Sequence, residues 1–182
     1  GVEARDARTG EVRWRWRSGA DDADALVLGA VVTPEAVLVD HRDGVLGLDP
    51  ATGERRWWTG VVRPQTVGEE LALSVSTDGP DQTYRVLDLT TGDVLRTITT
   101  NRELALVGPV LAAWTGDELR FEDAATGTET GAVGIEGDYP PPGLRSSDGL
   151  AWVVDDRLLT LVPGEDRPVA APVPAEVERD DL

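Results

Sequence analysis

Short apolar runs, each cut off by Gly, Pro, Asp or Thr, fill most of this sequence, and no stretch carries the spacing of an amphipathic helix. Residues 26–60 contain "LVLGAVV", "AVLVDH", "VLGLD" and "RRWWTG", which predicts four strands within about 35 residues. The following stretch offers "LALSVS", "TYRVLD" and "VLRTIT" after a weak first strand near Gln65 to Val67. The one after that gives "ELALV", "VLAAW", "LRFED" and "TETGAV". The expected fold is therefore all-β, with strands in groups of four.

The groups repeat. Asp-x-x-Thr-Gly occurs at residues 6–10, 49–53, 88–92 and 123–127. From 20 Asp, 17 Thr and 20 Gly in 182 residues, chance predicts about 0.2 copies of this motif. Its glycines, Gly10, Gly53, Gly92 and Gly127, lie 43, 39 and 35 residues apart, and a degenerate copy in "LTLVPGEDRP" puts Gly164 another 37 on. Periods in this range indicate a stacked or circular repeat.

Strands flank every copy, so the motif is expected to close a hairpin. Asp6, Asp49, Asp88 and Asp123 can each accept hydrogen bonds from backbone N–H groups of their turn, and the glycines can take the left-handed conformation that bulged hairpin loops need. The threonine adds a hydroxyl and a β-branched entry to the outgoing strand. In the first two copies a tryptophan, Trp14 or Trp57, stands at the fourth position after the Gly. Strand alternation puts it on one sheet face, where a Trp buries about 150–250 Å². In "VRWRWRS", Trp14 and Trp16 share one face and Arg13, Arg15 and Arg17 the other. That Arg row reads either as a cationic, aromatic-backed strip for an anionic ligand or as a row meeting acidic neighbours; exposed ion pairs are ordinary, which favours the second.

Composition narrows the function. The formal charge of -17 repels phosphate backbones and anionic lipid headgroups, so no nucleic-acid partner is expected. All 17 basic residues are Arg, as in a GC-rich, actinobacterial-like coding sequence, and no lysine nucleophile is available. The absence of Cys removes disulfides, thiolate catalysis and thiolate-bound metals. The longest apolar run, "LALVGPVLAAW", is too short to span a bilayer and is broken by Gly-Pro. The first residues, "GVEARDARTG", lack the regions of a secretory signal, so none is expected within this sequence.

The unit ending in "GVLGLDPATGERRW" resembles the repeat of pyrroloquinoline-quinone-type β-propellers, the quinoprotein alcohol dehydrogenase-like superfamily. The resemblance covers residues 1 to about 162, is strongest over 26–60, and fades where the Trp position becomes Arg96 and then Gly131. It implies four-stranded antiparallel blades, about four to five of them, as part of a larger ring, with Trp14 and Trp57 docking adjacent blades. The expected division is two last strands of a first blade in 1–17, further blades in 18–60, 61–100 and 101–135, a degenerate one in 136–170, and an acidic Pro/Ala tail in 171–182. Gly1 begins in mid-unit, so N-terminal blades outside this sequence are expected; the alternatives are pairing of the early and late half blades, or self-association that completes the ring.

The resemblance favours a non-catalytic binding or scaffold domain, outside the cytoplasm, secreted or as the ectodomain of an anchored protein, that presents a ring surface to a protein or small ligand. Its relatives include an outer-membrane assembly scaffold and sensor parts of actinobacterial kinases. The other reading is a quinone-dependent dehydrogenase-like enzyme whose active site lies partly in missing blades. No cofactor, metal or catalytic residue can be carried over position by position.

Other candidates are weaker. His41, the only histidine, lies near Asp40 and Asp43 where a strand meets a turn, but metal sites need several convergent ligands. Asp21, Asp22 and Asp24 lack the alternating ligands, central Gly and distal Glu of an EF-hand loop. "STDGPDQTY" (76–84) is a polar hairpin insertion of the kind that can carry recognition, and "EGDYPPPGL" (136–144) is a stiff connector. Residues 163–182 read as a mostly disordered tail. None of Ser18, Ser74, Ser76, Ser146 or Ser147 sits in a nucleophile elbow.

Overall fold

A computed structural model describes residues 1–17, 27–41, 44–60, 64–76, 81–134, 143–146, 149–154, 157–162 and 168–172. The chain divides into two compact units, Gly1–Thr99 and Thr100–Leu182. Every regular element among the described residues is a strand.

The first unit opens with a two-stranded antiparallel sheet, β1 (Val2–Arg5) and β2 (Val12–Trp16). A four-stranded sheet follows, in the order β3 (Val27–Val32), β4 (Val37–His41), β5 (Gly44–Leu48), β6 (Arg55–Thr59). The next is β7 (Pro64–Val67), β8 (Leu71–Ser76), β9 (Gln82–Asp88) and β10 (Val94–Thr100), again with sequence neighbours adjacent. This up-and-down meander is what short strands joined by tight turns produce. The prolines obey the same logic: Pro64 is the first residue of an edge strand, where its missing N–H disturbs no ladder.

Strands β4 and β5 are buried almost throughout, because both faces of their sheet are covered. On one face Val37, Val39, Leu46 and Leu48 pack with Trp14, against which Val2, Ala4 and Trp16 of the two-stranded sheet also rest. On the other face Ala36, Leu38, Val45 and Trp57 pack with Ala72, Leu87 and Leu89 of the next sheet. The alternation of strand side chains thus feeds two cores at once, and the middle strands read as continuous apolar runs. Strand β3, at the edge, keeps only a half-buried side and leaves Leu28, Val31 and Val32 exposed.

The second unit contains β11 (Leu104–Val107), β12 (Val110–Trp114), β13 (Glu118–Asp123) and β14 (Glu129–Gly134) in one sheet, and β15 (Gly143–Ser146), β16 (Gly149–Val154), β17 (Arg157–Leu161) and β18 (Val169–Pro172) in another. Ala105, Val107, Val110, Ala112, Leu119 and Phe121 of the first pack with Leu159 and Leu161 of the second. Strand β18 begins within the expected degenerate blade, 136–170, and carries Ala171 and Pro172 beyond it into the expected tail. Val169–Pro172 pairs with β17 in a regular antiparallel register that ends at Arg157↔Pro172. An edge strand needs hydrogen bonds on one side only, so it tolerates the proline that made the segment look unstructured. The rest of the expected tail, 173–182, lies outside the described residues, as does Gly164.

Phe121 is, among the described residues, the largest fully buried side chain in the core of the second unit. Phe121→Ala should cost about 3–5 kcal/mol by urea denaturation, and a loss below about 1 kcal/mol would contradict this core assignment.

Candidate functional site

The four Asp-x-x-Thr-Gly corners share one hydrogen-bond plan. In each, the glycine N–H donates to the carbonyl of the corner aspartate over 2.8 Å: Gly10 to Asp6, Gly53 to Asp49, Gly92 to Asp88 and Gly127 to Asp123. The aspartate N–H donates in turn to the carbonyl of the residue after the glycine, at 2.8 Å for Glu11, Glu54 and Thr128 and 3.0 Å for Asp93. The four glycines have φ of 74°, 73°, 78° and 76°, in the left-handed region that side chains disfavour. A register shift beside the corner, between Ala4 and Arg5, Gly47 and Leu48, and Phe121 and Glu122, marks the accompanying bulge.

The carboxylate organises the turn. Asp6 Oδ1 accepts from the N–H groups of Arg8 and Thr9, both at 3.0 Å. Asp49 Oδ1 does the same for Ala51 at 2.8 Å and Thr52 at 2.9 Å, and Asp88 Oδ1 for Thr90 at 2.7 Å and Thr91 at 3.0 Å. In the fourth corner Asp123 Oδ1 accepts from both the N–H and the hydroxyl of Thr126, at 2.7 and 2.8 Å. The threonine hydroxyls accept from the residue two positions on, at 3.2–3.3 Å.

In the first two corners the second carboxylate oxygen takes an arginine seven residues later. Arg13 Nη2 lies 2.5 Å from Asp6 Oδ2; Arg56 reaches Asp49 Oδ2 at 2.6 Å through Nη2 and also donates to the Glu35 carbonyl at 2.6 Å. Arg13, followed by the Thr9 and Arg8 N–H groups, pulls the Asp6 carboxyl down to about 2. Asp49 is lowered by the Thr52 N–H, Arg56 and the Ala51 N–H. The role of Arg56 emerges only in the structure; its one signal in the sequence is the Asp-to-Arg spacing of seven that the first two copies share.

The Arg strip is largely engaged within its own sheet. Arg13 binds Asp6, and Arg15 pairs with Glu3, whose carboxyl it holds below the usual range; Arg17 is exposed. Arg5 also binds Glu3 at 2.5 Å and donates to the Gly10 carbonyl at 3.0 Å.

The two docking tryptophans explain the rest of the motif. Trp14 Nε1 donates to the Pro50 carbonyl at 2.9 Å and Trp57 Nε1 to the Leu89 carbonyl at 3.0 Å. Pro50 and Leu89 each follow the aspartate of the next corner. Each ring lies flat against that corner's glycine: a Cβ on Gly53 would sit 2.5 Å from Trp14 Cδ2, and one on Gly92 equally close to Trp57 Cδ2. Within its own sheet Trp57 faces Gly47, where an added Cβ would collide with the indole. Each of these two corners therefore needs glycine twice over, for its left-handed backbone and for the indole of the preceding sheet. Both tryptophans are only 8% exposed, and a buried indole N–H needs such an acceptor. At the equivalent positions Arg96 and Gly131 break the series, and among the described residues nothing lies within 4 Å of a Cβ on Gly131.

Among the described residues no three His, Asp or Glu side chains gather as a metal site. His41 ends β4, half-buried, paired in register with Gly44, and Asp40 beside it is buried. Ser74 is buried within β8, and Ser76 ends that strand. Asp21, Asp22, Asp24, Asp43, Ser18 and Ser147, residues 77–80 of the polar insertion and most of the Pro-rich connector lie outside the described residues; Ser146 ends β15.

No family profile and no curated protein matches this sequence. Solved structures do. A eukaryotic initiation factor superposes with a TM-score of 0.58 at 10% identity, over 93% of this chain and 51% of its own. BamB from Moraxella catarrhalis gives a TM-score of 0.47 at 18% identity, over 93% and 57%, and a europium-containing methanol dehydrogenase 0.49 at 12%, over 93% and 47%. This chain thus spans about half the length of the structures it matches. The four-stranded antiparallel sheets, the indole seats between successive sheets and the likeness to the initiation factor place the chain in the β-propeller class.

Gly53→Ala and Gly92→Ala should each cost about 2–5 kcal/mol, combining left-handed strain of about 1–2 with overpacking of about 1–3. Gly10→Ala should show the strain alone; equal losses at all three, by chemical denaturation, would contradict the seat. Asp6 has a depressed pKa, so its stabilising effect is complete above the unfolded carboxylate value of about 3.9 and is lost as pH falls through about 2. A carboxyl NMR titration should place Asp6 near that value and move it upward in Arg13→Gln.

Proposed function

We propose that this chain is a non-catalytic module of a pyrroloquinoline-quinone-type β-propeller, a binding or scaffold domain that works outside the cytoplasm and offers a rigid blade surface to a protein or small ligand. The observation that carries this reading is the use made of the recurring polar residues. The corner aspartates direct Oδ1 into their own turns, and two of them hold an arginine with Oδ2. The strongest motif in the sequence is thereby engaged in joining strands and sheets, leaving recognition to the surfaces it holds in place.

The quinoprotein assignment is supported by the tryptophan eight residues after the corner aspartate and its seat on the next corner. The described residues do not fit a calcium-bound quinone, the cofactor that quinone-dependent members of the resembled family carry. Calcium takes six to eight oxygen ligands, whereas the repeated carboxylates are tied to separate corners and no cluster of three acidic or histidine side chains occurs among the described residues. The charge of -17 favours a protein or small molecule over nucleic acid. Among the described residues no helix is long and apolar enough to cross a membrane.

Adding pyrroloquinoline quinone and Ca²⁺ to the purified chain, then desalting, should leave no stoichiometric quinone absorbance. A one-to-one chromophore that is reduced on addition of an alcohol would overturn the non-catalytic reading.

A further inference from the structure

We propose that the outer edge of β6, around Trp58, takes up an acidic, extended segment of another polypeptide as a further strand. The proposal rests on the binding reading above and gives it a partner chemistry. Strand β6 closes the order β3-β4-β5-β6 and, among the described strands, is hydrogen-bonded to β5 alone. Its sheet is packed on one face by the two-stranded sheet and on the other by the sheet of β7 to β10, within the first unit. The edge is therefore bounded by described sheets on either side, and its outward N–H and C=O groups form a template for an added strand.

Two residues set this edge apart from its siblings. Nine positions after the corner aspartate the other copies carry Arg15, Thr97 and Ala132, and this one carries Trp58. Trp57 beside it is the docking indole; Trp58 is paired in register with Leu46 and stays 47% exposed with a sheet packed on that face. An aromatic ring on a strand edge gains from a β-branched or aromatic residue directly across from it. Six positions after the aspartate, where the first and third copies have Val12 and Val94, stands Arg55, exposed and, among the described residues, in no ion pair. Arg56 is committed to Asp49 and the Glu35 carbonyl, which anchors the strand. From Arg55 to Gly68 the sequence has three arginines and no Asp or Glu, in a chain of net charge -17. That local reversal of sign selects an acidic segment at contact range, since exposed charges farther than about 8–10 Å away are screened at moderate salt. The occupant is thus an extended segment with a β-branched residue opposite Trp58 and an acidic residue near Arg55.

The test is a titration of the ¹⁵N-labelled full chain with blocked Glu-Val-Thr-Val-Glu, its counterpart Lys-Val-Thr-Val-Lys, and Glu-Val-Pro-Val-Glu, whose central proline interrupts strand pairing. The first peptide should give saturable shifts at the amides of Arg55 to Thr59 and at the Trp58 indole N–H, with the Trp14 and Trp57 indoles unmoved. The lysine peptide should bind about tenfold more weakly, the scale of a few exposed charge contacts reversed in sign, and the proline peptide should weaken likewise. Trp58→Ala and Arg55→Glu should each weaken the first peptide about threefold or more. Comparing peptides on the unaltered chain keeps the test valid if a variant folds poorly. No saturable shift along β6, or equal binding of the acidic and lysine peptides, would overturn the proposal. So would shifts along β6 that follow chain concentration without peptide, since these would make a second copy the occupant. Failure here leaves the quinone titration unaffected, so the two results separate the edge from the wider binding reading.

Discussion

The contact between a tryptophan ring and the glycine of the next corner organises the first unit. A sheet of short strands with few long side chains cannot stand alone, and its middle strands are apolar on both faces. Burial on each face requires a neighbouring sheet at a fixed distance and register. Trp14 and Trp57 set both, because the ring lies against a backbone without a side chain while its N–H is held by one particular carbonyl. The aspartate, threonine and bulge close each hairpin, and at Gly53 and Gly92 they also hold that glycine and that carbonyl in the geometry the indole needs.

The second unit reaches a similar arrangement by other means. Where the tryptophan position becomes Gly131, the interface between its sheets is built from Phe121, Leu119, Leu159 and Leu161. Apolar packing of this kind is less directional than an indole held at both face and edge. The fading of the motif along the chain therefore matches a change in how sheets are joined, while the meander of four strands persists.

Local chemistry was the legible part of the sequence. Strand runs, the corner motif and the position of Trp14 and Trp57 all depend on residues within a dozen positions of each other, so alternation and turn preferences were sufficient to find them. What the sequence hid were partners across sheets: the Pro50 and Leu89 carbonyls that receive the indoles lie 36 and 32 residues from their donors. The Arg56–Asp49 pair was hidden differently, since arginines surround it in "ERRWW" and only the register decides which one turns toward the corner. The extension of β18 to Pro172 was hidden because Pro and Ala suggest disorder, yet an edge strand asks little of its residues. The functional surface was the least legible, because the recurring residues are engaged in the corners and in sheet-to-sheet contacts and say nothing of a ligand.

The central claim, that indole and glycine act as one unit, is tested most directly by a double-mutant cycle of Trp14→Ala and Gly53→Ala measured by equilibrium denaturation. If the ring and the bare backbone are coupled, Gly53→Ala should cost much less once Trp14 is truncated, with a coupling energy of about 1–3 kcal/mol. Strictly additive losses would show that the glycine serves its own turn alone, and that something other than the tryptophan seat joins the sheets.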